Sequence, residues 1–228
     1  MTAPSHGRRR RRLDLASALR SSHLSVRGSF TGLPLILPAA DRTVEQMRPQ
    51  VLFISGRSGV GKSTAALALH ELLIDHNVQH AVIEGDYLDL AHPAPHLAFP
   101  DANLAERNLA AMWATYRSVG YHRFIYTNTA AVLTLSSLVT AMGDDPLVTA
   151  VLLRSSDEHT RPRLERRNHG AIDAALLEHS ATMASRLDEE APASVHRIDT
   201  DQLDPSQVAT QLLSLTEWAE ATPLAKAR

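Results

Sequence analysis

Gly56-Arg57-Ser58-Gly59-Val60-Gly61-Lys62-Ser63 is an uninterrupted GxxxxGK[ST] run, and no other feature of the chain restricts its fold as strongly. The run works as a phosphate cradle only between a strand and a helix. Val51 to Ser55 is a short apolar stretch that predicts the strand, and Lys62 to His76 predicts the helix. Glycines let the backbone curl until successive N–H groups face phosphate oxygens, and the positive end of the following helix adds to the attraction. At these positions Lys62 is expected to reach the β and γ phosphates and the Ser63 hydroxyl to ligate Mg²⁺. Gly56, Arg57, Ser58, Gly59, Val60, Gly61 and Thr64 complete the expected ATP-binding set.

Charge sharpens this reading. Of 23 cationic residues only Lys62 and Lys226 are lysines. A chain that otherwise uses arginine thus places a lysine where a compact ammonium serves better than a planar fork. Residues 1–46 carry eight arginines against Asp14, Asp41 and Glu45, a net +5, which leaves −7 for the rest of a chain whose total is −2. Two domains of different character are expected: a basic, flexible extension over 1–46 and a catalytic body over 47–228. The extension reads either as a weakly ordered tail, or an upstream start before Met47, or as an electrostatic arm for nucleic acid. Leu13 to Leu19 is broken by Asp14, so no export signal is read and a cytoplasmic location is expected. The chain has no cysteine, which removes disulfides, thiolate nucleophiles and cysteine zinc sites. Its apolar runs are too short to span a membrane.

From Met47 onward apolar strands alternate with helical stretches, the pattern of a parallel α/β sheet. Strands are expected at 51–55, 81–84, 123–126, 147–153 and 195–198. Helices are expected at 62–76, 103–119, 131–142, 157–167, 172–187 and 205–219. The fold class is therefore α/β, a three-layer sandwich with a five-stranded parallel sheet and helices on both faces.

The second strand ends in Glu84-Gly85-Asp86. Strand ends of a parallel sheet gather at one edge, so this acid pair stands beside the phosphate loop. One carboxylate there suits proton abstraction from an attacking hydroxyl and the other suits the metal side; Asp86 is assigned as base and Glu84 as metal helper. With the loop and the acid pair together, the chain resembles the P-loop small-molecule kinases: gluconate, shikimate and adenylylsulfate kinases and chloramphenicol phosphotransferase. The resemblance covers roughly 51–215. In that family the lid carries RLxxR, and Arg163-Leu164-Glu165-Arg166-Arg167 is similar, which implies that Arg163 and Arg167 stabilise the transferring phosphoryl group. The bland alternative for this stretch is a solvated helix with Asp157 and Glu165 as partners. The resemblance also places adenine beside the segment from Ile198 to Pro205, and the acceptor beside 87–116. Three prolines at 93, 95 and 100 make the latter segment a loop that cannot be regular helix.

Arg107 and Asn128 are the candidate substrate contacts; Trp113 and Tyr116 read better as core. The third strand ends in Tyr126-Thr127-Asn128, without the acidic residue that motor-type ATPases carry there. Twelve histidines show no metal-ligand spacing and read as surface residues. The function expected is an ATP- and Mg²⁺-dependent kinase phosphorylating a hydroxyl of a small molecule, with no membrane partner. The alternatives are a nucleoside monophosphate kinase and a regulatory nucleotide switch.

Overall fold

The computed structural model describes residues 48–167 and 174–218. The expected extension, residues 1–46, lies outside the described residues, as do the first two residues of the helix expected at 172–187. Five strands form one sheet: β1 (Gln50–Ser55), β2 (Ala81–Glu84), β3 (Arg123–Thr127), β4 (Leu147–Arg154) and β5 (His196–Asp199). Their order is β2-β3-β1-β4-β5, and every adjacent pair is parallel. Helices α1 (Lys62–Asp75), α2 (Pro95–Ala98), α3 (Leu104–Ser118), α4 (Leu135–Met142), α5 (Asp157–Arg167), α6 (Ala174–Glu190) and α7 (Pro205–Thr216) complete the described fold. Among the described residues no helix is long and apolar enough to cross a membrane.

Two apolar layers flank the sheet. On one face Leu109 and Trp113 of α3, Leu138 and Met142 of α4 and Leu187 of α6 pack on Phe53, Phe124 and Tyr126. On the other, Leu69 and Leu73 of α1 meet Val208 and Leu212 of α7 over Leu52, Ile125 and Val151. Each large side chain buried this way contributes about 1.5–3 kcal/mol. Trp113 is core, and its indole N–H donates to Asp144 Oδ2 at 3.1 Å, so the ring is buried without an orphaned donor. Tyr116 stacks edge-on against Phe124. One expectation needs correction: the segment with three prolines holds the one-turn helix α2, because Pro95 stands at its first position, where the missing N–H costs nothing.

Register decides what meets at the carboxyl edge of the sheet. Ile54 of β1 is paired with Thr127 of β3, and Thr127 with Glu84 of β2. The phosphate loop and the acid pair therefore end in one row. Gly85 lets β2 close on β3: a Cβ there would lie 2.3 Å from Tyr126 Cζ and 2.7 Å from the Thr127 carbonyl oxygen. Neither neighbour has room to retreat, since Tyr126 is fully buried. A Gly85→Ala variant should lose about 1–3 kcal/mol of stability, as overpacked cores do. Urea titration checks it; a midpoint equal to the native one would mean that the strand end shifts freely.

Two histidines tie stability to acidity. His80 Nε2 lies 2.7 Å from His70 Nδ1, while His80 Nδ1 bonds the Val78 carbonyl at 2.8 Å. Burial holds the His80 imidazole below its ordinary value against the opposing Val78 hydrogen bond, with His70 and Arg123 acting in the same direction as burial. Burial also lowers His122, reinforced by Arg117 and Arg123. A base whose folded value is lowered binds its proton more readily when unfolded, so stability rises with pH. The contribution is complete above the unfolded value of about 6.5 and is lost as pH falls through it. Urea midpoints should therefore be lower at pH 5.5 than at pH 7.5, and equal midpoints would contradict this.

Candidate functional site

A cleft of about 1200 Å³ opens over the carboxyl edge of the sheet. Its floor is the phosphate loop from Ser58 to Thr64, which leaves β1 and enters α1. Gly59 has φ +82, in the region that favours glycine, and a Cβ there would meet Leu164 at 2.8 Å. The loop thus rests directly on α5. Lys62 heads α1 and is buried, its ammonium donating to the Gly56 carbonyl at 3.0 Å and Thr129 Oγ1 at 3.1 Å. Asp86 Oδ2 stands 3.6 Å away. Burial pulls the Lys62 ammonium below its ordinary value, and Asp86 and then Glu84 oppose that pull.

Asp86 sits in the 3-10 turn that follows β2. Its Oδ1 accepts from the Thr129 backbone N–H at 2.9 Å and its Oδ2 from the Thr129 hydroxyl at 3.2 Å. Thr129 also offers its carbonyl to the Gly56 N–H at 3.3 Å. A single residue therefore joins the acid, the lysine and the mouth of the loop. Sequence reasoning missed it, since a threonine two residues past a strand carries no local signal. Glu84 takes two hydroxyl donors, Ser63 Oγ and Thr127 Oγ1, each at 2.5 Å.

The opposite wall belongs to α5. Arg163, Arg166 and Arg167 line the cleft, whereas Arg161 turns away to Glu165 at 3.2 Å. Arg163 also donates to the Val60 carbonyl at 3.0 Å, a direct tie between α5 and the loop. Arg161 pairs with Glu165 as a solvated helix would have it, while Arg166 and Arg167, also exposed, border the cleft. Spacing could have found Arg166, because positions 163, 166 and 167 share one helical face. The start of α5 is fixed by Asp201, which accepts from Ser155 Oγ at 2.7 Å and the Ser156 N–H at 3.1 Å. The third side of the cleft is Thr200, Leu203, Pro205 and Val208, at the end of β5 and the start of α7.

Four expected site residues do not line the cleft. Arg57 is buried, with its guanidinium on Asp157 and on Ser180 Oγ. It braces the loop from beneath rather than facing the cleft, because the residue after Gly56 points back toward α5 and α6. Arg107 is exposed on α3 and is not among the cleft residues. Asn128 turns its Oδ1 to the Ala130 N–H at 2.9 Å, shaping the turn that presents Thr129. Gly56 contributes only its backbone, to Lys62 and Thr129.

No family model matches the chain, and no curated protein matches it in sequence. Solved structures do match its backbone. A sugar kinase from Janibacter sp. has a TM-score of 0.54 at 20% identity, over 76% of this chain and 99% of that one. A gluconokinase from Sinorhizobium meliloti 1021 has 0.51 at 19%, over 77% and 96%. The Mycobacterium tuberculosis APS kinase, in complex with AMPPNP and APS, has 0.52 at 16%, over 75% and 98%. At these identities the likeness is one of fold: the chain has the fold of the P-loop small-molecule kinases.

Proposed function

We propose that this chain is an ATP-dependent phosphotransferase that phosphorylates a hydroxyl of a small molecule. The observation that carries the reading is the placement of Asp86 3.6 Å from Lys62, at the end of a phosphate loop faced by three arginines.

The reaction follows from these groups. Loop amides and the Lys62 ammonium bind the β and γ phosphates, Lys62 exchanging its contacts with Gly56 and Thr129 for phosphate oxygens. Thr200, Leu203, Pro205 and Val208 receive the base of the nucleotide. Asp86 takes the proton of the acceptor hydroxyl as its oxygen bonds the γ-phosphorus. The bond to the β–γ bridging oxygen breaks, and its electron pair leaves with ADP. Arg166 and Arg167 neutralise charge on the transferring group, while Arg163 keeps α5 seated on the loop. Ser63 and Glu84 are hard oxygen donors suited to Mg²⁺. Among the described residues no cluster of three or more His, Asp or Glu could hold a metal, so an ion here would share its remaining ligands with phosphate and water. That ion would offset charge on the β and γ phosphates.

The test is transfer of label from γ-labelled ATP to a panel of sugars, sugar acids, nucleosides, adenylylsulfate and antibiotics. A labelled phosphoester that requires Lys62 is expected. Release of labelled phosphate with no labelled acceptor across the panel would overturn the reading.

A further inference from the structure

We infer that the acceptor is a neutral alcohol with an apolar body rather than an acid or a phosphate ester; this rests on the phosphotransferase reading above. The sheet order separates the two halves of the cleft. The phosphate loop follows the central strand β1, the arginines of α5 follow β4, and Thr200 to Val208 follow β5. These elements form the nucleotide half. Strand β2 stands at the other edge of the sheet, so the segment after it walls the half that the nucleotide leaves open. From that segment Asp86, Tyr87, Leu90 and His96 line the cleft.

Charge excludes an anion on this side. Residues 85–103 include Asp86, Asp89 and Asp101 and neither lysine nor arginine. The next charged residue is Glu106, and the first cation is Arg107, which is exposed and outside the cleft. A carboxylate or phosphate on the acceptor would face like charge here, and among the described residues this segment offers no guanidinium to hold it. The arginines of α5 do not supply the missing cation, because they stand on the nucleotide half, where the transferring group develops its own charge.

The surface of the same segment is apolar. Tyr87 is 62% exposed, Leu90 74%, Leu97 77% and Phe99 60%. Single exposed apolar residues are ordinary on a protein surface. Four of the nine large exposed apolar side chains among the described residues fall within these thirteen positions, and two of them, Tyr87 and Leu90, line the cleft, which marks a binding face. Tyr87 and Leu90 offer the apolar wall, His96 a polar contact, and Asp86 meets the hydroxyl.

Two matched probes test this on the full chain saturated with AMPPNP: 3-phenyl-1,2-propanediol and 3-phenyllactate. They share a ring and a secondary hydroxyl and differ only in hydroxymethyl against carboxylate. Saturation-transfer NMR should show the diol bound at least about tenfold more tightly. Leu90→Arg should invert the preference, and Leu90 is exposed enough for the change to spare the fold. Tyr87→Ala should weaken both probes, because the ring they share meets this wall. Equal or tighter binding of phenyllactate, binding of neither probe at millimolar concentration, or no response to Leu90→Arg would each overturn the inference. The phosphotransferase reading fails separately, if the diol binds as expected yet no acceptor in the labelled-ATP panel gains phosphate.

Discussion

An Asp86→Asn variant should bind ATP with near-native affinity at neutral pH and transfer its phosphoryl group on the order of 10²- to 10⁴-fold more slowly, the range of a lost general base. The substitution preserves shape. Asn keeps an oxygen for the Thr129 N–H, now 2.9 Å from Asp86 Oδ1. What disappears is the capacity to take a proton, and with it the negative charge 3.6 Å from the Lys62 ammonium. That second loss has its own signature. Burial already lowers Lys62, and Asp86 is the strongest group opposing it. Without the carboxylate, the Lys62 value falls further, so its charge is lost at lower pH than in the native protein. The variant's ATP affinity should accordingly weaken earlier on the alkaline side. Calorimetric titration with ATP across pH, beside single-turnover transfer, separates the two effects. A variant that transfers at the native rate would remove Asp86 from the mechanism.

The features legible in the sequence are those whose partners lie nearby or whose spacing is fixed by a strand and a helix. The phosphate loop is one, since Gly56 to Ser63 are contiguous and their task is local. Glu84 and Asp86 are another, because the end of a parallel strand has a known place. Illegible features depend on register and on distant chain. Thr129 gains its role only because β1 pairs with β3 at Ile54 and Thr127, which carries the next turn under the loop. Arg57 lies inside the motif and so reads as a nucleotide contact, yet its partners Asp157 and Ser180 are 100 and 123 residues away. Arg166 occupies an unspecified position of the five-residue RLxxR pattern, although it shares a helical face with Arg163 and Arg167. Arg107 carries a charge that suits an acidic substrate group, and charge alone does not say which way a helix turns.

A Lys62→Ala variant tests the loop itself. The ammonium is buried and surrounded by acceptors: the Gly56 carbonyl, Thr129 Oγ1 and the Asp86 carboxylate. Among the described residues, no second lysine or arginine bonds those acceptors. A hydrogen bond to a charged group contributes about 1.5–3 kcal/mol, so ATP affinity should fall by roughly ten- to a hundredfold. Transfer should fall further, on the order of 10²- to 10³-fold, because the same ammonium meets the growing charge of the transition state. Arginine should not restore it: a flat fork cannot occupy the position of a compact ammonium among these acceptors. Thermal unfolding gives the cleanest readout, since a ligand that binds only the folded chain stabilises it by an amount set by its concentration over Kd. At about 100 times the native Kd, ATP adds about 2.7 kcal/mol to the native protein. With Kd raised roughly a hundredfold, the same concentration adds only about 0.4 kcal/mol, so the nucleotide-dependent rise in Tm should nearly vanish. A variant that keeps the full rise would mean that nucleotide binds without Lys62, and the assignment of this loop would fall with it.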